Sequence, residues 1–259
     1  MKLNYISFLL LLTAGAFIAS CKKKTDEALD LNPDANSSAL FVHAAPVAAT
    51  PPPPSLDIVV DGIVANGSRR LSYGISSLGG GAGNGGAYMP FLRGTRNIKI
   101  SPDSGRTNVI EANLDFAANA AYSIIAYDTL ATPTSKLRVV RLNDNLTPPA
   151  SGVTHVRFVH AAPNAPAVDI TFLRSSPTLD SVTITNRSYL GATPNADALS
   201  AFTPVPSGTY TIRIKAAGTQ NLIASINPGN IILTGRIYTF YAIGTAQGRA
   251  LSVINTRHL

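Results

Sequence analysis

The chain carries one unit written twice, and that duplication constrains its fold more than any other feature. Phe41-Val42-His43-Ala44-Ala45-Pro46 recurs as Phe158-Val159-His160-Ala161-Ala162-Pro163. Further matches follow in the same order. Ser55-Leu56-Asp57-Ile58 is echoed by Ala167-Val168-Asp169-Ile170, and Tyr73-Gly74 by Tyr189-Leu190-Gly191 with slack of about a residue. Arg93-Gly94-Thr95 through Ile100 corresponds to Ser207-Gly208-Thr209 through Ile214, and Tyr122–Tyr127 to Tyr238–Ile243. A repeat of this length means two copies of one supersecondary unit.

Each unit reads as strands. Val156 and Phe158 alternate with Arg157 and Val159, and Tyr210, Ile212 and Ile214 with Thr211, Arg213 and Lys215. That period of two predicts a core face of apolar side chains and a solvent face carrying the basic ones. Leu56, Ile58 and Val60 run up to Asp61-Gly62, a hairpin turn pair. Tyr238–Ile243 is a continuous apolar run, as a central strand requires, and the last strand, Leu251–Ile254, answers Leu137–Val140. Pro206-Ser207-Gly208 and Asn227-Pro228-Gly229-Asn230 read as turns. Strands at about ten-residue spacing predict an all-β chain of two tandem immunoglobulin-like or related β-sandwich domains. The first repeat is expected over 39–147 and the second over 153–259, joined by the short linker 148–152 (Pro148-Pro149-Ala150-Ser151-Gly152). With 45% apolar and 14% charged residues the bulk of the chain must fold.

The segment Phe158–Asp169, supported by Pro206-Ser207-Gly208-Thr209-Tyr210-Thr211-Ile212-Arg213, resembles the DUF4397 family of bacterial envelope and secreted proteins. The likeness extends over residues 39 to 257, in two tandem copies. The first copy departs from the pattern at Pro51–Pro54 and at a glycine-rich insertion after Tyr73. The resemblance implies a sandwich architecture in a cell-envelope setting. It brings no catalytic or ligand-binding residues.

The N-terminus points to the same compartment. Lys2 precedes an apolar run from Ile6 to Ile18, and Ala19-Ser20 supplies small residues before Cys21, the only cysteine. The apolar stretch is shorter than the roughly 20 residues needed to span a bilayer. Ile18-Ala19-Ser20-Cys21 resembles a bacterial lipobox, which predicts a signal peptide over 1–20 and lipidation at Cys21. Two or more acyl chains there would anchor the protein stably in a membrane. Residues 21–38, opening with Lys22-Lys23-Lys24, lack the apolar area to pack and read as a flexible tether. A Cys-Lys-Lys start resembles lipoproteins of the Bacteroidota, which places the protein at the outer membrane, facing the periplasm or the surface.

Chemistry is harder to find. His43 and His160 stand at equivalent strand ends, each followed by a carboxylate, Asp57 or Asp169. As a metal or proton-transfer site the pair lacks a third ligand at regular spacing. The alternative is an imidazole capping a turn, with the aspartate satisfying backbone N–H groups. His155 and His258 have no partner motif. No Gly-x-Ser-x-Gly occurs, and the glycine-rich loop 79–86 lacks a Gly-Lys-Ser/Thr ending, so neither nucleophile nor phosphate cradle is indicated. Tyr73, Tyr88, Tyr127, Tyr189 and Tyr241 are the candidates for stacking on sugar rings, although Tyr127 and Tyr241 lie in apolar strands.

The formal charge of +7 is scattered along strands and in the tether rather than gathered in a stripe, which argues against nucleic acid as a partner. No metal or other cofactor is expected. The sequence predicts a non-enzymatic, lipid-anchored envelope protein presenting two sandwiches for protein or glycan binding. An accessory subunit of a polysaccharide-uptake or envelope-assembly complex, and an envelope hydrolase with an irregular site, are the alternatives.

Overall fold

The computed structural model describes residues 36–46, 55–67, 70–74, 87–101, 110–129, 137–233, 235–244 and 248–258. Cys21, the signal and most of the tether, Pro51–Pro54 and the glycine-rich loop 79–86 lie outside them. The first half contains β1 (Asn36–His43), β2 (Asp57–Val60), β3 (Ile63–Val64), β4 (Met89–Leu92), β5 (Gly94–Ser101), β6 (Ile110–Phe116), β7 (Ala121–Tyr127) and β8 (Arg138–Asp144). The second contains β9 (Val153–His160), β10 (Val168–Ser176), β11 (Asp180–Arg187), the short helix α1 (Ala196–Ser200), β12 (Thr203–Pro206), β13 (Gly208–Ala216), β14 (Leu222–Leu233), β15 (Ile237–Ile243) and β16 (Ser252–Arg257).

The strands form four sheets of four. Their orders are β4-β1-β7-β8 and β3-β2-β5-β6 in the first half, and β12-β9-β15-β16 and β11-β10-β13-β14 in the second. Adding eight to every strand number of the first half reproduces the second. The duplication is therefore one of topology as well as sequence. In both halves the first strand runs parallel to the seventh, with His43 opposite Ala126 and His160 opposite Ala242. Each half is a sandwich with its own core. Phe41, Ile58, Ile98, Ile100, Phe116 and Ile124 fill the first, and Phe158, Ile170, Phe172, Ile212, Ile214 and Phe240 the second. Asp61-Gly62 makes the two-residue β2–β3 turn with both residues at positive φ, 48° and 86°, the geometry such a pair favours.

A third cluster lies between the sandwiches. Leu40, Val42, Ile125, Tyr127 and Leu142 of the first half pack with Val159, Ala161, Leu190, Tyr241 and Ile243 of the second. These side chains alternate along β1, β7, β9 and β15 with those of the sandwich cores. The two inner sheets are thus buried on both faces, which explains the unbroken apolar runs in those strands. The molecule is four sheet layers deep, and far more than the linker joins its halves.

Two segments depart from the expected pattern. Arg157 does not face solvent; it is 2% exposed, because its side of β9 lies against the other sandwich. Asn227–Asn230 is not a turn between strands, since β14 runs through it. The turn-forming residues appear instead as a register jump, with Tyr210 opposite Ile231 and Ile212 opposite Ile226.

Candidate functional site

The joint between the sandwiches gathers most of the residues singled out in the sequence. All five candidate tyrosines meet there. Tyr127 and Tyr241 are buried within the third cluster, and Tyr73, Tyr88 and Tyr189 are half-buried against it. They line the inside of the joint rather than an open face. Tyr127 donates to the carbonyl of Gly191 at 3.0 Å, crossing from one half to the other. Burial pushes the phenol of Tyr73 up to about 12, against the opposing effect of Arg249, whose guanidinium lies 4.5 Å over the Tyr73 ring.

The two histidines of the repeat occupy equivalent places with different partners. Each stands edge-on to the tyrosine of its own half, His43 to Tyr73 at 5.7 Å and His160 to Tyr189 at 6.2 Å. His160 is held by backbone: Nε2 lies 3.0 Å from the carbonyl oxygen of Pro166, and Nδ1 accepts from the Ala162 N–H at 3.3 Å. His43 is fully buried with neither ring nitrogen hydrogen-bonded. Desolvation by burial, helped by the charge of Arg249, drives its pKa down to about 3. The carboxylates are engaged elsewhere. Asp57 pairs with Arg70 at 3.0 Å. Asp169 accepts the backbone N–H groups of Asn186 and Gly218 at 2.7 and 2.9 Å, which hold its pKa below the usual carboxylate value. Among the described residues no three His, Cys, Asp or Glu side chains cluster as a metal site would require.

A polar network that the sequence did not disclose closes the joint at one end. Arg157 Nη2 meets Asp144 at 2.7 Å with both side chains essentially buried. Arg157 Nε donates to Thr239 Oγ1 at 3.0 Å, and Thr239 Oγ1 lies 2.8 Å from His258 Nε2. His258 Nδ1 lies 2.6 Å from the Tyr88 hydroxyl, which donates to Asp144 Oδ2 at 2.7 Å. One proton assignment satisfies the whole ring. Thr239 donates to Nε2, the neutral imidazole donates from Nδ1 to Tyr88, and Tyr88 donates to the carboxylate. Ser123 bridges across, accepting from Arg157 at 3.1 Å and donating to Asp144 at 2.7 Å. Phe202 stacks under the guanidinium at 4.5 Å. Burial lowers the His258 pKa to about 4, opposed by Asp144 and assisted by Arg157. Tyr88, Ser123 and Asp144 come from the first half; Arg157, Thr239 and His258 come from the second.

Strand register makes this network a quasi-symmetric pair. Asp144 stands opposite Ala121 at the end of β8, and the His258 N–H bonds the carbonyl of Ile237 at the corresponding end of β16. Ser123 and Thr239 are equivalent, as are Leu40 and Arg157. An arginine inside an apolar strand whose repeat partner is leucine was the available signal.

Beside the network an open groove of about 910 Å³ runs along one end of the first sandwich. Its walls are the start of β1, the β6–β7 turn, and the end of β8 with the residues that follow. Asn36, Asn119, Asn143, Asn145, Ser38 and Thr147 supply amides and hydroxyls. Among the described residues Asp144 is its one charged lining residue, and that side chain is 0% exposed and committed to Arg157. Helix α1, capped by Asn195, closes over β8, and the Asn143 N–H donates to Ser200 Oγ at 2.9 Å.

A family model described as "Domain of unknown function (DUF4397)" matches residues 37–171, just over half of the chain. Among solved structures the chain is similar to the Bacillus anthracis TIE protein at 12% identity and a TM-score of 0.22. That alignment covers 80% of this chain and 34% of the other, so the chain spans about a third of that protein's length. No curated protein matches.

Proposed function

The chain belongs to the DUF4397 family, and on the geometry of this member we propose a non-enzymatic, lipid-anchored cell-envelope protein that presents two fused sandwiches for protein or glycan binding. The observation that carries this reading is the joint. A shared apolar core and a buried ring of hydrogen bonds hold the two sandwiches as one body, so surface features on both keep a fixed spacing. His160 and Asp169, the groups best suited to proton transfer, are bonded to backbone, and His258 is buried in the ring. This is the behaviour of groups that hold a structure. The adjoining groove offers neutral hydrogen-bonding groups on an open face, as a recognition surface does.

The anchor has a direct test. Cys21→Ala should move the protein from the membrane fraction to the soluble fraction, or leave it unprocessed at its signal-bearing mass. A correctly cleaved Cys21→Ala protein that stays with membranes would contradict the lipid anchor. For the binding role, the detergent-solubilised full chain is applied to an envelope extract and to an immobilised glycan panel. Retention of a defined protein or glycan is the expected result. Failure on both leaves a spacer between membrane and surface, and overturns the binding reading.

A further inference from the structure

We infer that the groove of the first sandwich is a binding site for an uncharged saccharide chain, an inference that rests on the binding role proposed above and names its site and ligand class. The internal duplication supplies a control that a single domain lacks. The strand and turn positions around the groove, from Asn36 to Asp144, have counterparts in the second half, built on the same topology. Residues that the fold itself demands should appear in both copies; residues selected for a ligand should appear in one.

Strand pairing fixes the correspondence. Asn36 is seven residues before His43, as Val153 is before His160, and Ser38 likewise answers to His155. The Ser38 N–H bonds the carbonyl of Ala120, and the His155 N–H that of Arg236. Asn119 therefore answers to Gly235, and Asn143, opposite Tyr122, to Arg257, opposite Tyr238. Asn119 has a backbone reason to be there: it sits at φ 56° and Gly235 at φ 52°, a left-handed conformation that both residue types accept. Asn36 and Asn143 have none, because Val153 and Arg257 occupy the same strand positions. The first half has Asn36, Ser38, Ala120 and Asn143 around this opening, where the second half has Val153, His155, Arg236 and Arg257.

The chemistry of those amides selects the ligand. An asparagine side chain carries a donor pair and an acceptor, which match neighbouring sugar hydroxyls or an N-acetyl group; in Asn145 the acceptor is already engaged by the Thr147 N–H at 3.0 Å, which leaves its amide hydrogens. Asn119, Asn143, Asn145 and Thr147 are exposed at the rim. Among the described lining residues the single charge is turned away and paired, so the lining offers no free charge to an ionic ligand. The open trough suits a chain that passes across it. The volume lies in the range of small-molecule sites, roughly 300–1,000 Å³.

The test uses the full chain in detergent on an array of neutral, N-acetylated and uronate oligosaccharides. Capture of neutral or N-acetylated members over uronates is expected. Asn143→Ala with Asn145→Ala should weaken that capture about tenfold, the loss of one to two hydrogen bonds. Asn143→Arg, which writes the second half's residue into the first, should abolish it, and Thr183→Ala on the far outer sheet should leave it intact. Thermal melts check that the exposed-site variants remain folded. Saccharide capture unchanged by Asn143→Arg overturns the groove as the site while leaving a glycan-binding module. Capture of no uncharged oligosaccharide, with an envelope protein still retained in the extract experiment, overturns the saccharide assignment alone.

Discussion

Asp144→Ala should cost this protein about 3–5 kcal/mol of stability, the usual penalty for removing one partner of a buried ion pair. The loss arises because Arg157 stays behind. Its guanidinium is enclosed by Phe202, Thr239 and Ser123, and only Asp144 balances its charge within the ring. Small domains are stable by only about 5–15 kcal/mol, so the change is large on that scale. The pair also spans the two halves, so its loss weakens the joint as well as each sandwich. Urea unfolding should show a lowered midpoint and, where the joint fails first, two transitions in place of one. The double variant Asp144→Leu with Arg157→Leu should recover part of the loss, since Leu40 already occupies the position equivalent to Arg157 against the same apolar cluster, while the Tyr88 and Ser123 hydroxyls still lose Asp144 as acceptor. A single variant Asp144→Ala that melts within about 0.5 kcal/mol of the parent, the range of an ordinary surface change, would show that the pair is not buried in solution.

The joint also marks where sequence reasoning reaches its limit. The strand period along Tyr210, Ile212 and Ile214 is legible because β13 has one dry face and one wet face, and alternation reports that contrast directly. β1, β7, β9 and β15 have no wet face. There the alternation between Phe158 and Arg157 separates two interiors, and a rule that sends every charge to solvent places Arg157 wrongly. His258 has no neighbour in sequence to suggest its role, because its partners Tyr88 and Thr239 lie 170 and 19 residues away. His43 and His160 look identical in the repeat, yet only His160 is bonded to backbone. The groove has the same difficulty in another form: Asn36, Asn119 and Asn143 converge only once β1, β7 and β8 are paired. Helix α1 has a local signal in its Asn195 cap, but its five residues are too few to carry an apolar period. Tandem sandwiches follow from local periodicity and repetition. What joins them follows from contacts between halves, which no local pattern records.

Mild acid should weaken the fold steeply, and the histidines at the joint determine the direction. His43 and His258 have folded pKa values near 3 and 4, below the ordinary 6.5. The unfolded chain therefore binds more protons than the native one between those values, so stability falls as pH falls. The contribution is complete above about pH 6.5, declines through the window, and levels off only below the folded values. Each such histidine contributes a slope of at most about 1.4 kcal/mol per pH unit, so the two together give about 2.5 kcal/mol per unit near pH 5. His160, also lowered chiefly by burial, acts in the same direction. The surroundings show why protonation is resisted. A proton on His258 Nε2 would end the hydrogen bond that Thr239 donates there and force its hydroxyl hydrogen to turn away, while Asp144 is already paired with Arg157. Neither ring nitrogen of His43 has a hydrogen-bond partner among the described residues to stabilise a proton, and Tyr73 stands edge-on with the cationic Arg249 beyond it. Urea midpoints taken from pH 7.5 to 5 should fall accordingly. His43→Phe keeps the aromatic volume, removes a group that makes no hydrogen bond, and should take away about half of that slope. Midpoints flat across this range, or a slope untouched by His43→Phe, would mean that these imidazoles are not held neutral inside the fold.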